Sequence, residues 1–271
     1  MKETTKAVIL ARGLGTRMRE SDGDQLEAGQ TAMADRGVKA MIPIGRPFLD
    51  YVLSGLADAG YREVCIVIGP EHDLIRDYYT RVIRPARISI HFAVQEKPLG
   101  TADAVAAACE FVGEDLFLVI NSDNYYPTNA LRALRELGEP GTVGFSSAAL
   151  VRLGNVTAER IGKYAILKLS DDGYLAEIIE KPDEQLVRSF GADVFVSMTA
   201  WLLSPAIFAG CAAIRPSVRG ELELPDAVTY AMRNRGERFR VLKFHAPVLD
   251  LSQRSDIESV AVRLSSVEVS L

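Results

Sequence analysis

Cysteine is scarce in this chain of 271 residues, with only Cys65, Cys109 and Cys211, widely separated and without a CxxC spacing. That scarcity excludes a disulfide framework and a zinc knuckle, and leaves buried free thiols as the reading. The three histidines, His72, His91 and His245, show no paired metal spacing and read as packing or surface residues. No apolar run reaches the ~18 residues of a membrane span. The start, "MKETTK", leads into an apolar stretch too short for a signal-peptide core, so a soluble cytoplasmic protein is expected. A strong charge of either sign is missing too. A formal net charge of −5 excludes a broad nucleic-acid surface but leaves room for a focused pocket holding one anion. Without internal repeats or low-complexity linkers, residues 1–271 read as one domain.

What is present is core material: 48% of the residues are hydrophobic, enough for a substantial α/β interior. Apolar runs alternate with amphipathic stretches, as in "AVIL", "PFLDYVLSGLADAG", "EVCIVI", "EHDLIRDYYTRV", "RISIHFAV", "TADAVAAACEFV" and "LFLVI". This βαβα rhythm predicts a parallel sheet covered by helices on both faces, with ligands at the carboxyl ends of the strands. After "GTVGFSSAALV" the texture becomes more antiparallel: "YAILKLSDDGYLAEIIEKP" reads as a hairpin turning at Asp172-Gly173. A helix is expected over "LPDAVTYAMRNRG", with Pro225 in its first turn and Gly236 past its end. A closing strand "FRVLKFHAPVLD" and a helix in "SDIESVAVRL" complete the chain.

The stretch "AVILARGLGTRMRE", residues 7–20, runs an apolar strand straight into a glycine bend. A dinucleotide-binding turn needs a third small residue where Met18 stands, and no Gly-Lys-Ser/Thr occurs for a P-loop. What remains is Gly13-Leu14-Gly15-Thr16-Arg17, in which glycines let backbone N–H groups approach an anion and Arg17 adds a fixed positive fork. A triphosphate or a departing pyrophosphate suits that arrangement.

"LARGLGTRM" followed by "KAMIPIGRPFLDYVL" resembles the signature of the sugar-1-phosphate nucleotidyltransferases, the nucleotide-sugar pyrophosphorylases. Further matches follow in order along nearly the whole chain: "QEKPLGTADA", "VINSDN", "IIEKP", "RGELELPDA" and "APVLD". The resemblance implies a Rossmann-like three-layer α/β/α fold with a mixed, mostly parallel sheet and a smaller antiparallel substrate-side part, the nucleotide-diphospho-sugar transferase fold. It implies a nucleotide-binding half over about 1–140, a sugar-phosphate half over about 141–254 and a C-terminal helix over 255–271. The implied reaction joins a nucleoside triphosphate to a sugar-1-phosphate, whose phosphate oxygen attacks the α-phosphorus and expels pyrophosphate.

By the same resemblance, Ala11, Gly13, Gly15 and Thr16 contact the nucleotide, Arg17 and Lys39 face its phosphates, and Lys181 holds the sugar phosphate. Gln95, with Gly100 and Thr101, matches the base-reading segment of uridylyl- and thymidylyltransferases. A neutral amide both donates to and accepts from a pyrimidine, which favours UTP or dTTP and leaves CTP open, because an amide can flip. Tyr164, Ala165, Glu180 and Ser197 fall at sugar-contacting positions. Asp123 and Asp250 match two metal-binding aspartates. Carboxylates near phosphates repel them by about 4 kcal/mol per charge pair at 4 Å and an effective dielectric near 20, so acids in this site imply a divalent cation, Mg2+.

Departures from the family pattern sit at Arg12, where glycine or alanine is usual, and at Ser122, Ala165 and Ser197-Met198. Arg12 either folds outward, shares a grip on the triphosphate with Arg17, or blocks the pocket. The long polar stretch between Met18 and Val38 reads as a mobile lid over the phosphates. Two other functions stay open: a catalytically weak regulatory or sugar-phosphate-binding relative, and a metal-dependent glycosyltransferase, which "SDN" fits poorly for want of an Asp-x-Asp motif. The sugar is unassigned and a homo-oligomer is left open.

Overall fold

In the first strand, β1 (Lys6–Leu10), side chains alternate between two cores, Ala7 and Ile9 in one and Val8 and Leu10 in the other. A strand buried on both faces belongs in the middle of a sheet. In the computed structural model, which describes residues 4–20, 26–191 and 194–271, β1 lies there. It pairs in parallel with β2 (Glu63–Ile68), which in turn pairs in parallel with β3 (Ser89–Val94). Its other edge pairs in parallel with β4 (Phe117–Asn121).

The later strands extend the same sheet: β5 (Gly141–Ser146), β6 (Ile166–Leu169), β7 (Leu175–Ile179), β8 (Phe195–Leu203) and β9 (Arg240–Phe244). β8 runs antiparallel to β4 through Trp201–Leu203 and antiparallel to β5 along its other edge, while β9 runs parallel to β5. The β6–β7 hairpin joins at Val196 of β8, so the antiparallel part is continuous with the main sheet.

The two cores are closed by helices on opposite faces, giving the three-layer α/β/α architecture. The main helices are α1 (Ala28–Arg36), α2 (Phe48–Ala59), α3 (Thr101–Ala107), α4 (Thr128–Leu137), α5 (Leu224–Arg235) and α6 (Asp256–Leu264). Leu53 and Leu56 of α2, Leu134 of α4 and Val260 of α6 join Ala7 and Ile9. Val105 of α3 and Val228 of α5 join Val8 and Leu10. Each fully buried aliphatic side chain stabilises the fold by about 1.5–3 kcal/mol.

Local signals act as expected in the hairpin, where Gly173 has φ 81°, and in α5, which has Pro225 in its first turn and ends at Gly236 with φ 66°. Three stretches differ from the sequence reading. "FRVLKFHAPVLD" is not one strand: Pro247, which has no N–H for a ladder, follows β9, and Leu249–Asp250 pairs instead with Asn124–Tyr125. The segment between Met18 and Val38 holds α1, opened by a capping box between Glu27 and Gln30 and closed by Gly37 at φ 70°; residues 21–25 of the expected lid lie outside the described residues. The C-terminal helix stops at Leu264, and the tail beyond it docks through carbonyls of Val269 and Ser270 that accept from Arg46 and Arg87. Among the described residues no helix is long and apolar enough to cross a membrane.

Candidate functional site

Strand order reverses at β1, because β2 and β3 lie on one side of it and β4 on the other. Such a switch point splays the connecting loops apart and opens a crevice beyond the strand ends. A cleft of about 230 Å3 lies there. It is lined by Leu10 to Leu14 after β1, Asn121 to Asp123 after β4, the turn Gly37 to Ala40, and Gln95, Pro98, Gly100, Thr101 and Ala104 from the β3–α3 connection, with Glu221 reaching its edge.

The glycine bend is held by a close approach of two backbones. Gly15 and Gly37 both have positive φ, 63° and 70°, and a β-carbon on Gly15 would fall 2.4 Å from the Gly37 carbonyl oxygen. Only glycine tolerates both demands. The contact docks the end of α1 against the bend and carries the chain into the helical turn Lys39–Met41. There Lys39 Nζ donates to Asp123 Oδ2 at 2.6 Å, with the two side chains 16% and 21% exposed. Gly13 is exposed, a β-carbon there would meet open space, and the N–H groups of Gly13 and Leu14 reach no acceptor among the described residues. The bend thus presents free backbone donors beside a lysine–aspartate pair.

Thr16 and Arg17 stand apart, exposed on the single helical turn Thr16–Arg19 and outside the cleft lining. Arg17 makes no hydrogen bond or ion pair among the described residues. A residue not singled out from the sequence braces this turn from behind: buried Arg254 donates to the carbonyls of Met18 and Glu20, both at 3.0 Å, and pairs with Asp35 of α1 at 2.5 Å. Its only sequence signal is its place four residues after Asp250 in "DLSQR".

Arg12 turns across the strand ends instead of toward Arg17. Its Nε and Nη2 donate to the Glu71 carboxylate at 3.2 Å each, and its Nη1 donates to the Gln95 carbonyl. Its side chain is only 7% exposed. Gly69 makes room for the pair, since a β-carbon there would lie 2.4 Å from Arg12 Nε and from both Glu71 oxygens. Buried His72 completes the corner by accepting the Gly69 N–H on Nδ1 at 3.2 Å. Arg12 is therefore a brace linking the segments that follow β1, β2 and β3.

Gln95 is 4% exposed, and its amide nitrogen donates to the Gly100 carbonyl at 3.0 Å and to Asp103 Oδ2 at 2.8 Å. Gly100, at φ 123°, lies so close to Leu222 that a β-carbon would fall 2.4 Å from the Leu222 carbonyl oxygen. Leu222 donates to Leu99 and accepts from Ala102, and Thr101 Oγ1 accepts from the Leu224 N–H. "RGELEL" thus pins the loop beneath the cleft and brings Glu221 to its edge.

Asp250 is placed differently from Asp123. It is 3% exposed and outside the cleft lining. Its Oδ1 accepts from Asn124 and Ser252, and its Oδ2 accepts from Arg160 Nη2 at 2.5 Å and Tyr164 Oη at 2.6 Å. Arg160 also donates to Asp256 at 2.7 Å. Burial and the nearby Asp123 charge raise the Asp250 pKa, opposed by Tyr164 and Arg160, and burial keeps Tyr164 protonated as a donor. Arg160, unmarked in the sequence reading, fills the position facing this carboxylate. For a divalent cation the two acids offer different surroundings: Asp123 has one oxygen on Lys39 and opens to the cleft, both Asp250 oxygens accept from donors, and among the described residues no three His, Cys, Asp or Glu side chains gather to hold a metal ion.

Tyr164 and Ala165 adjoin Ser197, whose N–H donates to the Ala165 carbonyl at 2.8 Å. Here β8 bulges, with Thr199 at φ 57°, and fully buried Tyr126 donates to the carbonyls of Met198 at 2.6 Å and Thr199 at 3.2 Å. This group meets the cleft through the pairing of Asn124–Tyr125 with Leu249–Asp250. Glu180 and Lys181 lie at the end of β7, with Lys181 at φ 42°. Glu180 is open to solvent, yet protein packed around its carboxyl raises its pKa, as do the charges of Glu223 and Asp226.

A family model described as nucleotidyl transferase matches residues 6–245. The chain is 26% identical to the UTP–glucose-1-phosphate uridylyltransferase AglF of Haloferax volcanii over 260 residues, covering 96% of both. It is 33% identical to a glucose-1-phosphate thymidylyltransferase of Streptomyces griseus over 83% of this chain. It spans 56% of that relative's length, and of another curated relative it matches. A UDP-glucose pyrophosphorylase solved with UDP-glucose superimposes with a TM-score of 0.73 at 18% identity, covering 97% of this chain and 99% of that one, a likeness of fold.

Proposed function

The chain belongs to the nucleotidyl transferase family, and from that premise we propose that it condenses a nucleoside triphosphate, UTP or dTTP favoured, with a sugar-1-phosphate to give a nucleotide sugar and pyrophosphate. The observation that carries this reading is the Lys39–Asp123 pair at the switch-point cleft beside the free N–H groups of the glycine bend. Free backbone donors and a lysine are what a polyphosphate requires, and an open carboxylate beside them is what its counter-cation requires. The curated relatives named for UTP and for thymidylyl transfer support the choice of nucleotide.

In this reading the bend and Lys39 hold the phosphates, the Gln95–Thr101 loop holds the base, and Arg12 keeps that loop in register with the bend. The sugar phosphate approaches from the side of Tyr164, Ala165 and Ser197, with Glu180 and Lys181 at its edge, and Arg17, exposed on the turn that follows the bend, serves the departing pyrophosphate. Asp123 would hold Mg2+, which supplies charge neutralisation on the phosphate oxygens. The sugar-phosphate oxygen attacks the α-phosphorus in line as the bond to pyrophosphate breaks, with no covalent enzyme intermediate. Positioning and charge stabilisation carry such a reaction.

The test is a pyrophosphate-release screen crossing UTP, dTTP, CTP and GTP with glucose, aminosugar and heptose phosphates in the presence of Mg2+. Release that requires both substrates is expected. Tight binding of a sugar phosphate without release in any combination would replace the proposal with a regulatory, binding-only role.

A further inference from the structure

The two ends of the cleft differ in chemistry. Gln95 follows β3 and Asp123 follows β4, three strand spacings apart in the sheet, roughly 14 Å. The β4 end carries the Lys39–Asp123 charges, while the β3 end is walled by Pro98, Gly100 and Ala104 around one buried neutral amide. A nucleotide laid along this cleft sets its phosphates at the first end and its base at the second.

The orientation of that amide is fixed by its neighbours. Gln95 Nε2 donates to Gly100 O at 3.0 Å and to Asp103 Oδ2 at 2.8 Å. Both partners are acceptors, so turning the amide over would press its carbonyl oxygen against a carboxylate and a peptide carbonyl. The remaining atom, Oε1, has no partner among the described residues. Asp103 lies in the first turn of α3, below the cleft wall formed by Gly100 and Thr101.

We infer that Asp103 is a specificity-positioning residue: it holds Gln95 as an acceptor-only reader, so that the cleft takes bases with a ring N–H and rejects those with a lone pair in its place. Uracil, thymine and guanine carry that N–H; cytosine and adenine present an unprotonated ring nitrogen, which sets acceptor against acceptor. This rests on the nucleotidyl-transfer reading and narrows it, because the amide flip that would admit CTP is blocked. Leaving one such pair unmatched in a buried site corresponds to a discrimination of about tenfold or more.

The experiment measures equilibrium binding of UTP, dTTP, GTP, CTP and ATP by calorimetry, with Mg2+, to the full chain and to Asp103→Ala and Asp103→Asn. The wild type is expected to bind one or more of UTP, dTTP and GTP at least tenfold tighter than CTP and ATP. Both variants leave the Gly100 carbonyl as the remaining fixed acceptor on the amide and should lower the ratio for the preferred nucleotide over CTP by at least about threefold, more in Asp103→Ala than in Asp103→Asn, mainly by gaining CTP. A wild type that binds CTP as well as UTP overturns the inference, as do variants that weaken all five nucleotides equally and so report a merely structural role. Failure of every triphosphate to bind the wild type would remove the parent reading and this inference with it.

Discussion

Two charge clusters meet at the short pairing between Asn124–Tyr125 and Leu249–Asp250, and they differ in how far water reaches them. Lys39 and Asp123 form a single contact at the cleft and keep 16% and 21% of their surfaces exposed. The side chains of Arg160, Asp250 and Asp256 are sealed, with 7%, 5% and 6% of their own surface exposed, and Asp250 accepts further bonds from Tyr164, Asn124 and Ser252. An ion pair that water reaches contributes little to stability and exchanges partners easily; one removed from water becomes rigid, because losing either partner strands a charge in a poor solvent. The difference teaches that two acids close in space can have different solvent access: Asp123 keeps part of its surface open to the cleft, whereas Asp250 is enclosed by donors behind it.

That contrast is tested most severely by substituting the open pair. Lys39→Met and Asp123→Asn should each lower pyrophosphate release by about 10²–10³-fold. Their melting temperatures should fall by no more than about 4 °C, the equivalent of about 1 kcal/mol. Near-normal turnover in both variants would remove the pair from the chemistry.

Breaking the sealed cluster should reverse the pattern. Arg160→Gln leaves two buried carboxylates without their common partner and is expected to cost about 3–5 kcal/mol, lowering the melting temperature by roughly 10 °C. A fall of less than about 3 °C would show that Arg160 is no more structural than a surface arginine.

The smallest effect concerns the corner that holds Arg12. Burial, and then the positive charges of Arg12, Arg19 and Arg36, lower the His72 pKa below its ordinary 6.5, against the opposing pull of Glu71. Below pH 6.5 the unfolded chain therefore binds this proton more readily than the folded one. The stability held by neutral His72 is complete above pH 6.5 and declines as pH falls toward the folded pKa. Urea midpoints between pH 7.5 and 5.5 should fall less steeply in His72→Asn than in the wild type, and equal slopes would show that this group is not responsible.

Much of the fold was legible because its signals are local. Alternating apolar runs marked β1, β2 and β4, Asp172-Gly173 marked the hairpin, and Pro225 with Gly236 bracketed α5. In the site, the structure gathers Ala11, Gly13, Lys39, Gln95, Gly100, Thr101 and Asp123 around one cleft. It sets Gly15 behind the bend as a packing glycine, Arg17 on an exposed turn outside the cleft lining, and Asp250 inside the Arg160 cluster. The route of Arg12 to Glu71 and the contact of Asp103 with Gln95 leave no pattern in sequence, and the bracing by Arg254 leaves only its place in "DLSQR", since their partners come from other loops or depend on how a side chain turns.

By itself the sequence determined the succession of strands and helices, the glycine bend and the family to which the order of its motifs points, because backbone preference and hydrophobic period act over a few neighbouring residues. Only the tertiary structure decided which charges face the cleft and which are sealed behind it. The reason is physical: burial and hydrogen-bond direction arise from segments far apart in the chain, and those two quantities, more than residue type, decide what a carboxylate or an amide can do.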